Sequence, residues 1–202
     1  MSVTYILLAA GASSRMRGTD KLMESVRGQP LILDRLQALR PAGHGTADLI
    51  VVLRPDRPER LAALAEQKVR IVENSQADSG LGSSVKAAVT AAPLHSKAAL
   101  FLPADMPDIT RDDIGLLVQA HQRNPSAIIR AATQDGRPGN PVIFPSAFFK
   151  ALAALSGDQG GRGIMKANAG MVELVPLAGD RAATDLDTPE DWAKWRAKNP
   201  SL

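Results

Sequence analysis

Residues 5–21 read YILLAAGASSRMRGTDK and join an apolar run to a segment of small residues and two cations. It begins with the apolar run 5–8, which is typical of a strand covered on both faces in a parallel sheet. Gly11 and its small neighbours follow, and they allow backbone N–H groups to approach an anion closely. Arg15 and Lys21 then offer a planar guanidinium and a compact ammonium, which suit different phosphate oxygens. The stretch predicts a buried strand that opens into a phosphate-binding loop, and the alternative is an ordinary turn with two solvated cations.

Size and composition limit the class of protein. The chain has 202 residues, enough for one well-buried α/β domain covering residues 1–202. Its 24 Lys and Arg against 21 Asp and Glu leave a net charge of +3, without the basic stripe that a nucleic acid or membrane surface would require. It has no cysteine, which excludes disulfides and thiol chemistry. We therefore expect a cytoplasmic protein that binds neither nucleic acid nor membrane.

Strand-like and helix-like segments alternate along the chain, which predicts an α/β fold with a mostly parallel, Rossmann-like sheet flanked by helices. The predicted strands are Val3–Ala9, Asp48–Leu53, Val69–Val72, Ala98–Leu102, Ala127–Ala131 and Pro141–Phe144. The predicted helices are Leu31–Arg40, Arg57–Glu66, Gly82–Ala92, Arg111–Arg123, Ser146–Leu155 and Pro189–Lys198. The stretches 134–141 and 157–163 are dense in turn-forming residues and predict loops, which either meet a ligand or simply connect elements at the surface.

Two acidic motifs are candidate metal ligands. Asp105 follows the fourth predicted strand at the sheet edge where α/β proteins bind ligands, and its carboxylate suits Mg²⁺. The alternative is that it caps the turn before Pro107. Asp187 lies in a second acidic cluster, directly before a helix that begins at Pro189, where acids also have a capping role.

Six motifs in a fixed order resemble the MobA-like nucleotidyltransferases, and most closely their molybdenum cofactor cytidylyltransferase branch. The resemblance covers Leu7 to Asp191. Its motifs are LAAGASSRM at 8–16 with Asp20 and Lys21, the Asn, Gly and Ser loop at 74–84, ADMP at 104–107, GRPGNP at 136–141, GDQGGR at 157–162 and DLDTPED at 185–191. Such a protein has the nucleotide-diphospho-sugar transferase-like fold and transfers a nucleoside monophosphate to a phosphorylated acceptor.

The resemblance also implies roles for particular residues. Catalysis would rest on Arg15, Lys21 and Asp105, and a Mg²⁺ cofactor on Asp105 and Asp187. The nucleotide would meet Leu8, Ala9, Ala10, Gly11, Arg15, Lys21, Asn74, Gly80, Ser84 and Asp105. The acceptor would meet Gly139, Asn140, Pro141, Gly157, Asp158 and Arg162.

Substrates and partners follow from the same resemblance. CTP is favoured as the donor because relatives selective for GTP tend to carry Gly-Gly where this chain has Ala10 and Gly11. Molybdopterin is the expected acceptor, with transient contacts to proteins of molybdoenzyme maturation. Transfer to molybdopterin from GTP and transfer to a sugar or polyol phosphate remain alternatives. A non-catalytic nucleotide-binding regulator or cofactor-delivery protein is the alternative from another class.

The chain departs from the family pattern at two positions. Arg17 precedes Gly18 where the family usually has Arg-Met-Gly, so Arg17 either adds a phosphate ligand or faces solvent. Asn140 stands where relatives often carry His, and an amide can donate a hydrogen bond but cannot transfer a proton near neutral pH.

Overall fold

The computed structural model describes residues 2–40, 48–157 and 160–200, and its centre is a seven-stranded sheet. The strand order across this sheet is β5-β4-β1-β6-β8-β7-β9, and β2 and β3 form a separate two-stranded hairpin. The strands are β1 Val3–Ala9, β2 Ser25–Val26, β3 Gln29–Pro30, β4 Leu49–Leu53, β5 Arg70–Glu73, β6 Ala98–Pro103, β7 Ile128–Ala132, β8 Pro138–Pro145 and β9 Val172–Pro176. Only β8 runs against its neighbours β6 and β7, so the predicted mostly parallel sheet is confirmed.

The register of the central strands positions the site. Leu7 of β1 lies beside Val51 of β4 on one side and Leu102 of β6 on the other, and all three side chains are buried. Because these strands are parallel, their carboxyl ends meet at one sheet edge. The loops that follow β1 and β6 therefore start side by side, and the backbone N–H of Ala104 donates to the carbonyl of Leu8.

Helices cover both faces of the sheet. They are α1 Leu31–Leu39, α2 Pro58–Ala63, α3 Leu81–Ala91, α4 Arg111–Arg123, α5 Phe149–Ala153, α6 Arg162–Ala167 and α7 Pro189–Lys198. Helices α1, α4 and α7 contribute to one buried apolar cluster, and α3 and α5 contribute to a second one on the other face. The Trp192 and Trp195 side chains of α7 are buried in the first cluster and dock this helix against the sheet. No described helix is long and apolar enough to cross a membrane.

Helices α4 and α7 each begin with a capping box. Thr110 and Thr188 each accept a hydrogen bond from the backbone N–H three residues later, and Asp113 and Asp191 each complete a capping box. The predicted bounds of α4 and α7 are confirmed to the residue.

Other elements differ from the prediction. The segment predicted as one helix from Ser146 to Leu155 is a 3₁₀ turn followed by the short α5. The predicted loop at 157–163 is wrong from Arg162 onward, where α6 begins. The β2–β3 hairpin and the edge strand β9 were not predicted, because two-residue strands and a partly exposed edge strand lack a continuous apolar run.

Candidate active site

The loop after β1 is a series of tight turns. Short 3₁₀ helices at Ser14–Met16 and Lys21–Met23 are separated by residues 17–20. Ser13 and Arg17 adopt left-handed backbone conformations, with φ of 55° and 52°, on either side of the first 3₁₀ helix. Gly11 is exposed, and no atom lies within 4 Å of the position that a Cβ would take. The loop thus leaves free space at the carboxyl end of β1, as a phosphate-binding loop requires.

Lys21 joins the two acidic motifs. Its Nζ donates to Oδ2 of Asp105 at 2.5 Å and to Oδ1 of Asp187 at 2.7 Å, and the Lys21 side chain is only 9% exposed. Burial lowers the pKa of Lys21, but the charges and hydrogen bonds of the two carboxylates outweigh burial and leave the pKa above its ordinary value. Lys21 therefore remains an ammonium over the whole physiological pH range.

Arg15 reaches one of these two carboxylates, that of Asp187, from the solvent side. Its Nη2 donates to Oδ2 of Asp187 at 2.7 Å, although the Arg15 side chain is 66% exposed. Such an exposed ion pair is weak, so Arg15 can exchange Asp187 for a ligand at little cost. Arg17 pairs with Glu190 at 2.6 Å, and both side chains are largely exposed. Arg17 thus donates its hydrogen bond to α7 and not to Asp105 or Asp187.

Asp105 and Asp187 fit a Mg²⁺ site that a substrate completes. Both carboxylates contact one ammonium group, so a cation between them would have two hard oxygen ligands. The part of the chain that the structure describes has no cluster of three or more His, Cys, Asp or Glu that could hold a metal. Mg²⁺ commonly binds through one or two carboxylates together with substrate phosphates and water, and this donor set matches that mode. Desolvation, followed by the charges of Asp105 and Asp187, raises the pKa of nearby Asp185.

The predicted nucleotide residues on the β5–α3 connection contact one another. The side-chain amide of Asn74 donates to Oγ of Ser83 at 2.9 Å and to Oγ of Ser84 at 3.0 Å, while its Oδ1 accepts the N–H of Gln76. Gly80 has φ of 104° and forms the turn into α3. A residue with a side chain would be strained in this backbone conformation. Asn74 and Ser84 therefore shape this connection, and their contact with a nucleotide stays a prediction.

The first residues of the predicted nucleotide loop differ in exposure. The methyl group of Ala10 is buried in the apolar cluster beneath α3, and Leu8 packs against the same cluster. Ala9 is also buried, but its carbonyl accepts a hydrogen bond from Arg60. An effect of Ala10 on base choice would thus act through the backbone position and not through direct contact of its methyl group with the base.

The predicted acceptor residues lie in two places. A Cβ on Gly139 would be 1.8 Å from the carbonyl oxygen of Ala182, so glycine is required there for the backbone of β8 to meet the 3₁₀ turn 181–183. Asn140 is partly exposed, and Pro141 is buried. On the other face, the Gly157 carbonyl oxygen would be 2.8 Å from a Cβ on Gly82 in α3. Arg162 begins α6, and Asp158 lies outside the described residues.

Three residues that support the site were not assigned a role from the sequence, namely Ser13, Asp20 and Arg60. They form a hydrogen-bonded group beneath the loop. Asp20 is part of the motif with Lys21, whereas no local pattern connects Arg60 on α2 with loop residues 40 to 47 positions earlier.

Residues 5–172 match the family model described as MobA-like NTP transferase domain. The chain belongs to this family. One relative is the molybdenum cofactor guanylyltransferase of Pseudomonas aeruginosa strain PAO1. The two chains are 32% identical over 201 residues, and the match covers 96% of this chain and 94% of the relative. The nicotine blue oxidoreductase of Paenarthrobacter nicotinovorans is 28% identical over 194 residues, which is 93% of each chain.

Solved structures agree with this assignment of the fold. The homolog of Mycobacterium tuberculosis Rv0371c from Mycobacterium sp. strain JC1 superposes with a TM-score of 0.83 at 26% identity and covers 97% of this chain and 96% of that one. The nucleotide-diphospho-sugar transferase-like fold expected from the sequence is therefore confirmed, and by family the chain is a nucleotidyltransferase.

Proposed function

We propose that this chain transfers a nucleoside monophosphate from an NTP to the phosphate of molybdopterin and releases pyrophosphate. The single observation that carries the proposal is the buried Lys21 ammonium between Asp105 and Asp187, at the edge where β1 and β6 end. This arrangement combines one fixed positive charge with two metal-ligating carboxylates beside a loop with room for phosphates. Metal-assisted transfer at a phosphorus atom commonly uses such groups.

The proposed reaction is an in-line displacement at the α-phosphorus. An oxygen of the acceptor phosphate forms a bond to the α-phosphorus, and the bond from that phosphorus to the oxygen bridging to the β-phosphate breaks. The pyrophosphate leaves with the electron pair. Lys21 and Arg15 stabilise its charge, and Asp105 and Asp187 would hold Mg²⁺, which neutralises phosphate oxygens when bound. A phosphate monoester is largely ionised near neutral pH, so the attack requires no general base.

We propose CTP as the donor, because this chain has Ala10 and Gly11 where relatives selective for GTP tend to carry Gly-Gly. GTP is the second candidate, because the P. aeruginosa relative is named a guanylyltransferase. The experiment is pyrophosphate release with CTP, GTP, ATP and UTP, each with and without molybdopterin, in Mg²⁺ and in EDTA. Release with one NTP that requires both acceptor and metal supports the proposal and identifies the base. Release that proceeds equally without acceptor would contradict transfer to molybdopterin.

A second candidate function is oxidation or reduction of a conjugated heterocycle, because a relative with 28% identity over nearly the whole chain is named nicotine blue oxidoreductase. Absorbance of nicotine blue in the presence of NADH or NADPH tests this activity. Turnover of the dye together with silence in the pyrophosphate assay would favour the second candidate.

A further inference from the structure

Arg60 is the most deeply buried cation near the candidate site. It lies on α2, its side chain is fully buried, and its guanidinium donates hydrogen bonds to the last residue of β1 and to the loop that follows. Nε donates to Oδ2 of Asp20 at 2.6 Å, and Nη1 donates to the carbonyl of Ala9 at 2.7 Å. Nη2 donates to Oδ1 of Asp20 at 2.8 Å and to Oγ of Ser13 at 3.0 Å. One planar group thus holds the beginning, middle and end of the loop.

Asp20 neutralises the buried charge of Arg60. Its side chain is 6% exposed and forms a bidentate pair with Arg60, the geometry in which guanidinium and carboxylate bind most strongly. Burial raises the pKa of Asp20, but the hydrogen bond and charge of Arg60, with bonds from Leu22 and Ser13, lower it overall. A buried pair of this kind is costly to break, because the remaining partner is left as an unpaired charge.

The Arg60–Asp20 pair also fixes the backbone around Lys21. Oδ1 of Asp20 accepts the N–H of Leu22 at 3.0 Å and so caps the 3₁₀ helix Lys21–Met23. Oγ of Ser13 accepts the N–H of Lys21 at 3.3 Å and donates to Oδ1 of Asp20 at 2.9 Å. Ser13 has a left-handed backbone conformation, which a residue with a side chain adopts only when its surroundings hold it there. The contacts of Arg60 therefore fix both the strained turn and the backbone from which Lys21 extends.

We propose that Arg60 is a positioning residue for the triphosphate: it holds the Ala9–Asp20 loop so that loop N–H groups and Lys21 meet the β- and γ-phosphates. This inference rests on the proposed nucleotidyl transfer. A lysine at position 60 cannot replace the planar fork, because one ammonium cannot form a bidentate pair with Asp20 and also reach Ala9 and Ser13. Loss of Arg60 should thus weaken binding of the β- and γ-phosphates and leave recognition of the base and ribose intact.

The test compares triphosphate and monophosphate binding. Isothermal titration calorimetry with CTP and CMP, and with GTP and GMP, each in Mg²⁺, gives a ratio of affinities for the wild type, Arg60→Lys and Arg60→Gln. Leu39→Ala is the control for lost stability, since Leu39 is fully buried on α1 in the apolar core and is not part of the site. Thermal melting of each variant shows whether the destabilisation of Arg60→Gln and Leu39→Ala is comparable.

We expect Arg60→Gln to bind the triphosphate at least tenfold more weakly and the monophosphate within about threefold of the wild type, with Arg60→Lys in between. Leu39→Ala should leave both affinities unchanged. If Arg60→Gln does not fold, Ser13→Ala replaces it and should weaken triphosphate binding alone, by about threefold to tenfold. Equal losses for triphosphate and monophosphate, or no loss in a folded variant, would overturn the inference. A wild-type protein that binds triphosphate no better than monophosphate would instead overturn the proposed function itself.

Discussion

The Nζ atom of Lys21 lies 2.5 Å from Oδ2 of Asp105, although 84 residues separate the two in the sequence. The contact forms because β1 and β6 are neighbours in the sheet and both loops leave it at the same edge. Asp187, from the connection before α7, accepts from the same ammonium group. Three segments of the chain thus meet at one charged centre, and the first predictions concern this centre.

Asp105→Asn should reduce nucleotidyl transfer by about 100-fold or more, because electrostatic groups at a reaction centre commonly contribute a factor of this size. The fold should be retained, since Asp105 is on a loop and Lys21 keeps Asp187 as a partner. Pyrophosphate release and thermal melting measure the two effects. Activity within about threefold of the wild type would exclude Asp105 from the metal site.

Lys21→Met should weaken triphosphate binding and slow transfer, because it removes a phosphate contact. The same change should strengthen binding of Mn²⁺ in the absence of nucleotide, since the ammonium repels a cation from Asp105 and Asp187. Electron paramagnetic resonance of Mn²⁺ measures that affinity directly. Arg17→Met is the control, because Arg17 pairs with the exposed Glu190 and should leave Mn²⁺ affinity unchanged. Equal Mn²⁺ affinity in wild type and Lys21→Met would show that Lys21 and the metal do not share these ligands.

Gly139→Ala should destabilise the protein by about 1–3 kcal/mol or more, because a side chain there overlaps the Ala182 carbonyl and forces the backbones apart. Gly115→Ala is a matched control within α4, where nothing lies within 4 Å of the added Cβ. That control should stabilise the helix by about 0.5–1 kcal/mol. Chemical denaturation gives both values, and a neutral Gly139→Ala would mean that the close approach of β8 to the 181–183 turn is not required.

His121 should make stability depend on pH. It is buried on α4, neither of its ring nitrogens has a hydrogen-bond partner among the described residues, and burial lowers its pKa. The unfolded chain, with an ordinary His pKa of about 6.5, then binds a proton that the folded protein excludes. The free energy of unfolding should therefore fall as the pH drops below about 6.5.

His121→Leu should reduce this dependence below about pH 6.5, because the leucine does not titrate. His95→Leu is the control, since His95 is exposed and contacts Asp48 at the surface. Denaturation curves at several pH values provide the comparison. A slope that is unchanged in His121→Leu would assign the pH dependence to other groups.

The sequence indicated Lys21, Asp105 and Asp187 as site residues, which stays a prediction, and it failed where contacts depend on the three-dimensional arrangement. Lys21, Asp105 and Asp187 stand out because each lies next to a recognisable element boundary, and parallel strands bring such boundaries together. Arg60 reads as an ordinary polar residue of a short helix, because its partners are distant in sequence. Helix α6 was missed because glycines surround Arg162 and indicated a loop. Gly139 was assigned to the acceptor, yet its contact with Ala182 supplies a structural reason for glycine there.

We propose that nucleotidyl transfer occurs at the centre formed by Lys21, Asp105 and Asp187. The most direct measurement is transfer of radioactivity from α-³²P-labelled CTP and GTP to molybdopterin, analysed by chromatography, with wild type and Asp105→Asn side by side. We predict a labelled dinucleotide product from one of the two NTPs with the wild type and none above background with Asp105→Asn. Absence of label in the pterin product with both NTPs, or equal labelling by the Asp105→Asn variant, would contradict transfer at this centre.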